Sequence, residues 1–314
     1  MNRFAHARLL GGVALALGAA LVGCGGGGGG GGSVSASVAA TVDVSLRASV
    51  TAASLSAAKY SQPLLLTVSG SHLDNGLLVT ATGCAGVALS STAPYVSSAS
   101  TAYYQCTATT LGAGQFVATR TLDGAVLTTQ PFTVPAPQVT LTYSNGAAVN
   151  GTMVFTLAPD KAPITVNNFL AYVNSGFYVG TLVHRMSPNF VIQAGGFAAP
   201  VVDAAATLKP TTAPIELEVN TGLSNTQWSV AMARSAAANS ATSQFFINLA
   251  DNSAVLDANA PVTDGYAVFG SVSAGTGLVT QIVAAPCTAF AGFLPSGDCT
   301  PSPNVVITAA VQTQ

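Results

Sequence analysis

The stretch "HRMSPNFVIQAGGF", residues 184–197, sets a permanent cation, Arg185, beside an apolar run and a glycine pair, Gly195 and Gly196. Only 6% of the chain is charged, so the placement stands out. A guanidinium cannot shed its charge, and burying one unpaired is costly. Two readings are open on these residues alone: a surface arginine that packs its stem, or a cation required in an apolar place. Other chemistry has little support. The histidines His6, His72 and His184 lie far apart and there is no CxxC, which argues against a metal cluster and a Ser-His-Asp triad.

The elements that must carry Arg185 come next. At 314 residues the chain has room for two ordinary domains, and 49% hydrophobic residues can supply a core to each. Once Arg3 and Arg8 are set aside with the leader, seven basic residues face eleven acidic ones, a net charge near −4. No basic patch is visible, which excludes binding to a phosphate backbone. Residues 1–23 read as a secretory leader: a short basic start, then the apolar run "LLGGVALALGAALVG". The leader ends at Leu21-Val22-Gly23-Cys24, which resembles the lipobox of bacterial lipoproteins. That resemblance implies cleavage before Cys24 and acylation of its sulfur. Glycines 25–32 cannot pack, so residues 24–32 read as a lipidated cysteine and a flexible tether. Gly25 in place of an aspartate favours, by the same resemblance, anchoring at the outer membrane, where the body is expected to face the periplasm, although Gly25 itself leaves the outside open.

Five cysteines is an odd number for an exported chain. Assigning Cys24 to lipid leaves four. The simplest connectivity pairs Cys84 with Cys106 and Cys287 with Cys299 in an oxidising compartment. The other two pairings stay open on the sequence.

Residues 33–137 are rich in Ser, Thr, Ala and Val, with short β-branched runs such as "LLLTVSG", "LLVTATG", "TAYYQCTATT" and "GQFVATRTL". The pattern predicts a small Ig-like β-sandwich with no catalytic constellation. Tyr104, two residues before Cys106, stands where the tyrosine corner of an immunoglobulin-type domain would, although the cysteine spacing is short for that family. "VPAPQ", residues 134–138, reads as a linker. In residues 138–314, Val166, Phe169, Leu170 and Val173 make one apolar helical face, with Pro163 suited to the first turn and Gly176 to the end. A second short helix is expected over 278–283. The runs "FVIQAGG", "SVAMAR", "SQFFINL", "YAVFGSV" and "NVVITAAV" read as strands, so a closed barrel with helices at its ends is expected.

Four collinear blocks in this second body resemble the cyclophilin-type peptidyl-prolyl cis-trans isomerases, in their bacterial exported form. They are "APITVNNFLAYVNSGFYVGTLVHRMSPNFVIQAGGF", "LSNTQWSVAMAR", "NSATSQFFINLADNSAVLD" and "GYAVFG". The resemblance implies an eight-stranded antiparallel barrel capped by two α-helices. It implies that Arg185 is the catalytic arginine, and that Gln193 and Gln244 bond the substrate backbone and position the arginine. It implies that Phe190, Val191, Phe246, Leu256 and Tyr266 line a proline pocket, and that Ala233 and Arg234 hold the residue preceding proline. His184 is expected beside the substrate as a packed histidine. Strand alternation sends Phe245 and Phe246 to opposite faces, and the motif match selects Phe246 for the pocket. The reaction breaks no covalent bond, so no metal and no cofactor are implied. The expected partners are proline-containing polypeptides and, through Cys24, a membrane; a monomer is expected.

The chain departs from the family pattern at several points. Val191 replaces a methionine, Val255 an aromatic residue, and Ala194 and Trp228 each a glycine. The segment from Cys287 to Cys299 is an extra loop. Val191 and Val255 motivate the alternative of a weakly active or inactive chaperone or adhesin that grips proline segments.

Overall fold

The computed structural model describes residues 47–91, 93–200, 207–258, 264–289, 294, 295 and 297–314. The leader, Cys24, the glycine tether and the first residues of the expected sandwich lie outside them. The chain divides into Met1–Val42, also outside the described residues, and one compact unit, Asp43–Gln314.

The first seven strands of that unit are β1 (Ser49–Leu55), β2 (Pro63–Ser71), β3 (Leu77–Thr82), β4 (Cys84–Leu89), β5 (Thr101–Ala108), β6 (Gly112–Arg120) and β7 (Val126–Val134). A one-turn helix, α1 (Leu73–Gly76), sits between β2 and β3. The strands form two sheets, ordered β1-β2-β5-β4 and β3-β6-β7. Alternation explains the layers: Leu64, Leu66 and Val68 of β2 meet Val79 of β3 and Phe116 and Ala118 of β6 in one core. Cys84 and Cys106 are bonded. Their strands are neighbours in the same sheet, so the bridge is not the inter-sheet bond of an immunoglobulin domain. Tyr104 lies buried within β5, in register with Leu66, not at a corner. The short strand β4 escapes sequence reading because "CAGVAL" is mostly exposed and carries no alternation.

The remaining strands are β8 (Gln138–Ser144), β9 (Asn150–Leu157), β10 (Thr181–Ser187), β11 (Val191–Ala198), β12 (Thr207–Leu208), β13 (Ser229–Met232), β14 (Phe245–Asn248), β15 (Val268–Ala274), β16 (Cys287–Thr288), β17 (Thr300–Pro301) and β18 (Val306–Gln312). The helices are α2 (Pro163–Asn174), α3 (Ser253–Leu256) and α4 (Thr276–Ala284). The sheet runs β10-β18-β8-β9-β15-β13-β14-β11, and β10 pairs with β11 to close it. This is the expected eight-stranded antiparallel barrel, with β12 added beside β11 and α2 and α4 as its helices. Closure removes the sheet edges that an open array would expose.

Helix α2 begins with Pro163 at its first turn, and Gly176 follows its end at φ +72°. The Glu218 carboxylate accepts hydrogen bonds from the Ile164 and Thr165 amides, where a negative charge suits the helix dipole. The buried face of α2 drives Phe169 into a cluster with Phe155, Phe245 and Phe269, with ring centroids 5.0–6.3 Å apart. Trp228 sits at φ +68°, a left-handed conformation that glycine adopts without cost and a bulky residue does not.

The segment read as a linker connects β7 directly to β8, and the sandwich docks on the barrel. Tyr60, Ala108 and Val134 share the barrel's core cluster. Gln312 of β18 donates from Nε2 to the Tyr60 carbonyl at 2.8 Å, and its Oε1 accepts from Gln62 and Asn174. Lys59 donates to the Gln312 carbonyl at 3.2 Å.

Candidate active site

Register builds the site. On the pairing of β10, β11 and β14, Arg185 lies opposite Gln193, and Gln193 opposite Phe246. Ala231 of β13 continues the row opposite Phe246. Residues directly opposite one another share a face, so a cation, an amide and an aromatic ring from three strands emerge side by side. Phe245 turns inward and packs edge-on against Phe155, Phe169 and Tyr178. Phe246 turns outward and meets Tyr266 edge-on, with centroids 5.5 Å apart.

The row opens into a cleft of about 180 Å³ lined by Arg185, Phe190, Val191, Gln193, Ala233, Arg234, Phe246, Leu256 and Tyr266. These are nine of the eleven residues singled out in the sequence, gathered from positions up to 81 apart. Its floor is a small apolar cluster distinct from the barrel core: Val191, Ala231, Phe246, Leu256 and Val268. Val255, the neighbour of Leu256 on α3, is 52% exposed and is not among the lining residues.

Gln244 stands behind the wall. Its Oε1 accepts from Gln193 Nε2 at 2.9 Å, while Gln193 Oε1 accepts from Arg185 Nη1 at 3.3 Å. The glycine pair makes room for this chain of contacts. A Cβ on Gly196 would lie 2.5 Å from Gln244 Cγ, and Gly195 takes φ +86° against the Tyr178 and Phe245 rings.

His184 is the second of the eleven outside the lining. It is only 3% exposed, and its ring packs against Phe197 with centroids 4.7 Å apart. No hydrogen bond reaches its buried Nδ1. Burial pushes its pKa down to about 4, and the Arg185 charge acts in the same direction. The Leu182 backbone and the Gln244 side chain favour the charged form without offsetting burial. The expectation that His184 meets substrate is therefore corrected. The register of β10 against β11 shifts between Val183 and Arg185, and at this irregularity the His184 ring is buried away from the cleft, a neutral interior residue.

On the far wall, Arg234 donates from Nε to the Gly265 carbonyl at 2.8 Å and lies over the Tyr266 ring, 4.8 Å from its centroid. The Ala233 amide is already engaged by the Gln244 carbonyl at 2.9 Å. Asp257 anchors the turn after α3. Burial raises its carboxyl pKa, but hydrogen bonds from Ser224 and Asn225 outweigh that and hold it below the usual value. Asn225 also donates to the Leu256 carbonyl at 3.2 Å, which fixes the residue lining the cleft.

One residue of the site was not foreseen. Asp298 Oδ2 accepts from Arg185 Nε at 2.6 Å. It comes from the extra loop, where Cys287 and Cys299 are bonded as expected. The available sequence signal was that one of only eleven acidic residues stands next to a cysteine in an otherwise uncharged loop. Among the described residues no group of three or more His, Cys, Asp or Glu could hold a metal ion.

The family model for cyclophilin type peptidyl-prolyl cis-trans isomerases matches residues 139–312. A peptidyl-prolyl cis-trans isomerase of Acinetobacter baylyi is 46% identical over 141 residues, covering 45% of this chain and 71% of that protein. Peptidyl-prolyl cis-trans isomerase A of Dickeya dadantii is 41% identical over 161 residues, covering 50% and 81%. A Cryptosporidium parvum cyclophilin type isomerase, solved in the presence of the dipeptide Ala-Pro, is 21% identical at a TM-score of 0.42, covering 56% and 99%. With more than half its length matched by the family model, and with the barrel and cleft described above, the chain belongs to the cyclophilin-type peptidyl-prolyl cis-trans isomerase family.

Proposed function

We propose that this prolyl isomerase turns X-Pro bonds in exported polypeptides by stabilising the twisted amide with Arg185. Amide resonance sets a rotation barrier of ~18–20 kcal/mol, and uncatalysed exchange takes roughly tens of seconds or longer. Rotation becomes easier when the prolyl nitrogen lone pair leaves the π-system. A fixed donor beside that nitrogen favours the twisted state over the planar one, and only such a difference accelerates a reaction. The observation that carries this reading is that the Arg185 guanidinium lines the same cleft as Phe190, Val191, Phe246, Leu256 and Tyr266. The apolar residues would seat the prolyl ring. Gln193, held by Gln244, would bond the substrate backbone, and Ala233 and Arg234 would flank the residue before proline. Rotation exchanges no proton with the protein, which agrees with a neutral, buried His184.

The setting proposed is the cell envelope, with the chain anchored by lipid at Cys24 in the outer membrane, facing the periplasm. The lipobox-like Leu21-Val22-Gly23-Cys24 and the glycine tether support this, as do two disulfides in the folded unit. Labelled palmitate should enter the full-length chain in a Gram-negative host and fail to enter its Cys24→Ser variant. Incorporation into both would refute the anchor.

The decisive test of the chemistry is cis-trans exchange of an Ala-Pro-Phe peptide, followed by NMR with the chain from Ser33 onward. Arg185→Ala should lose ~100- to 1,000-fold of the catalysed rate, the usual effect of removing one preorganised donor. Equal rates for the two proteins would refute the role of Arg185.

A further inference from the structure

The extra loop reaches back to the residue that would do the chemistry. Asp298 is 6% exposed, its partner Arg185 is 24% exposed, and the contact between them is 2.6 Å. The other ion pairs among the described residues, Arg47–Asp123 and Arg120–Asp123, share a carboxylate that is 37% exposed. A carboxylate buried to this degree is retained only where it is paired. The chain just after Asp298 is tied to β10. Cys299 and Met186 exchange backbone hydrogen bonds at 2.7 and 3.0 Å, and the Thr300 hydroxyl donates to the His184 carbonyl at 2.6 Å. The Asp298 amide donates to the Pro295 carbonyl at 3.1 Å. The Cys287–Cys299 disulfide and the β16–β17 pairing close the loop at its base. Arg185 is thus bracketed on its own strand, with His184 and Met186 each clasped by this loop.

We propose that Asp298 is a positioning residue for Arg185, delivered by the disulfide-closed loop. The proposal rests on the reading of Arg185 given above. A free arginine side chain samples many rotamers, and a catalytic donor works best when that freedom is already lost before substrate arrives. Asp298 grips Nε, at the stem of the fork, and Gln193 takes one hydrogen of Nη1. The remaining N–H donors are left for a ligand in the cleft. The carboxylate fixes the direction of the fork and also offsets part of its charge. Hydrogen-bond donation by a guanidinium survives such pairing, whereas a donor displaced by about 1 Å can cost ~100-fold. Positioning therefore outweighs neutralisation, and removing Asp298 lowers activity.

The experiment compares wild type, Asp298→Ala, Asp298→Asn and Arg185→Ala in the chain from Ser33 onward. Each is measured for kcat/KM by peptide exchange, for peptide Kd by NMR titration, and for the Arg185 Nε–H resonance, which is assigned by its loss in Arg185→Ala. Asp298→Ala should lower kcat/KM by about 10- to 100-fold while peptide Kd moves less than about threefold, because the apolar wall is intact. Its Nε–H signal should shift and exchange faster with water. Asp298→Asn keeps the shape and an acceptor for Nε and should recover much of the rate. It also serves if the alanine variant fails to fold. A rate within twofold of wild type for Asp298→Ala, or for Asp298→Asn with Nε–H exchange as fast as in an unpaired arginine, overturns the proposal, as does a loss that appears wholly in Kd. If Arg185→Ala itself keeps the wild-type rate, the reading of Arg185 fails first, and the positioning role fails with it.

Discussion

Lowering the pH should weaken this fold through His184, and the size of the effect follows from its burial. The folded pKa is about 4, against about 6.5 for a free histidine. Between those values the unfolded chain binds a proton that the folded chain refuses. The unfolded state holds more protons there, so stability rises with pH and is lost as pH falls through that window. A gap of about 2.5 units at about 1.4 kcal/mol each amounts to about 3 kcal/mol. About 1 kcal/mol of it is lost by pH 5.5, and the loss levels off below pH 4. Other groups titrate in the same range, so the quantity to measure is the slope difference between wild type and His184→Leu. Urea unfolding at half-unit steps from pH 7.5 to 4 gives both slopes. The variant's absolute stability does not matter, only its flatter pH dependence. Parallel slopes, or an NMR titration of His184 centred near 6.5 in the folded protein, would refute the reasoning. Activity per folded molecule should stay level across the window, since no proton is transferred.

Two other perturbations probe the supports of the site. Gly196→Ala should push Gln244 away from Gln193, because the new Cβ would lie 2.5 Å from Gln244 Cγ. The lost hydrogen bond should reduce kcat/KM by about 2- to 10-fold, and an unchanged peptide-exchange rate would show that the Gln193–Gln244 contact is dispensable. Gln312→Ala should strip the buried Tyr60 carbonyl of its donor and cost about 1–3 kcal/mol. Calorimetry should then separate the single transition into unequal steps for sandwich and barrel, and an undisturbed transition would mean that the apolar contact of Tyr60 holds them together unaided.

The residues of the site were named by the motif resemblance, and local rules added how some of them face. Phe245 and Phe246 had to face opposite ways on a strand, and the structure puts the first in the core and the second in the cleft. Helix α2 carried its own start, stop and apolar face in the sequence. His184 is packed, as the sequence reading has it, but its place beside the substrate came from the resemblance, and the register shift between Val183 and Arg185 that buries it is not legible in the sequence. The immunoglobulin-like detail in the first body failed at Tyr104, which lies within β5 and not at a corner, while the short cysteine spacing already argued against an inter-sheet bridge.

The sequence by itself determined that the chain has a mostly β second body with a permanent cation beside an apolar wall, because period-two and period-3.6 patterns are written in consecutive residues. Tertiary structure decided what holds that cation. Asp298 stands 113 residues from Arg185 in a loop with no periodicity, so no local pattern links them. Their meeting depends on barrel closure bringing β10 beside the end of the chain, and on a disulfide that fixes the loop there. The docking of the sandwich was decided at the same level. It rests on the apolar contacts of Tyr60, Ala108 and Val134 and on the buried Gln312, whose place follows from which strand ends beside Tyr60.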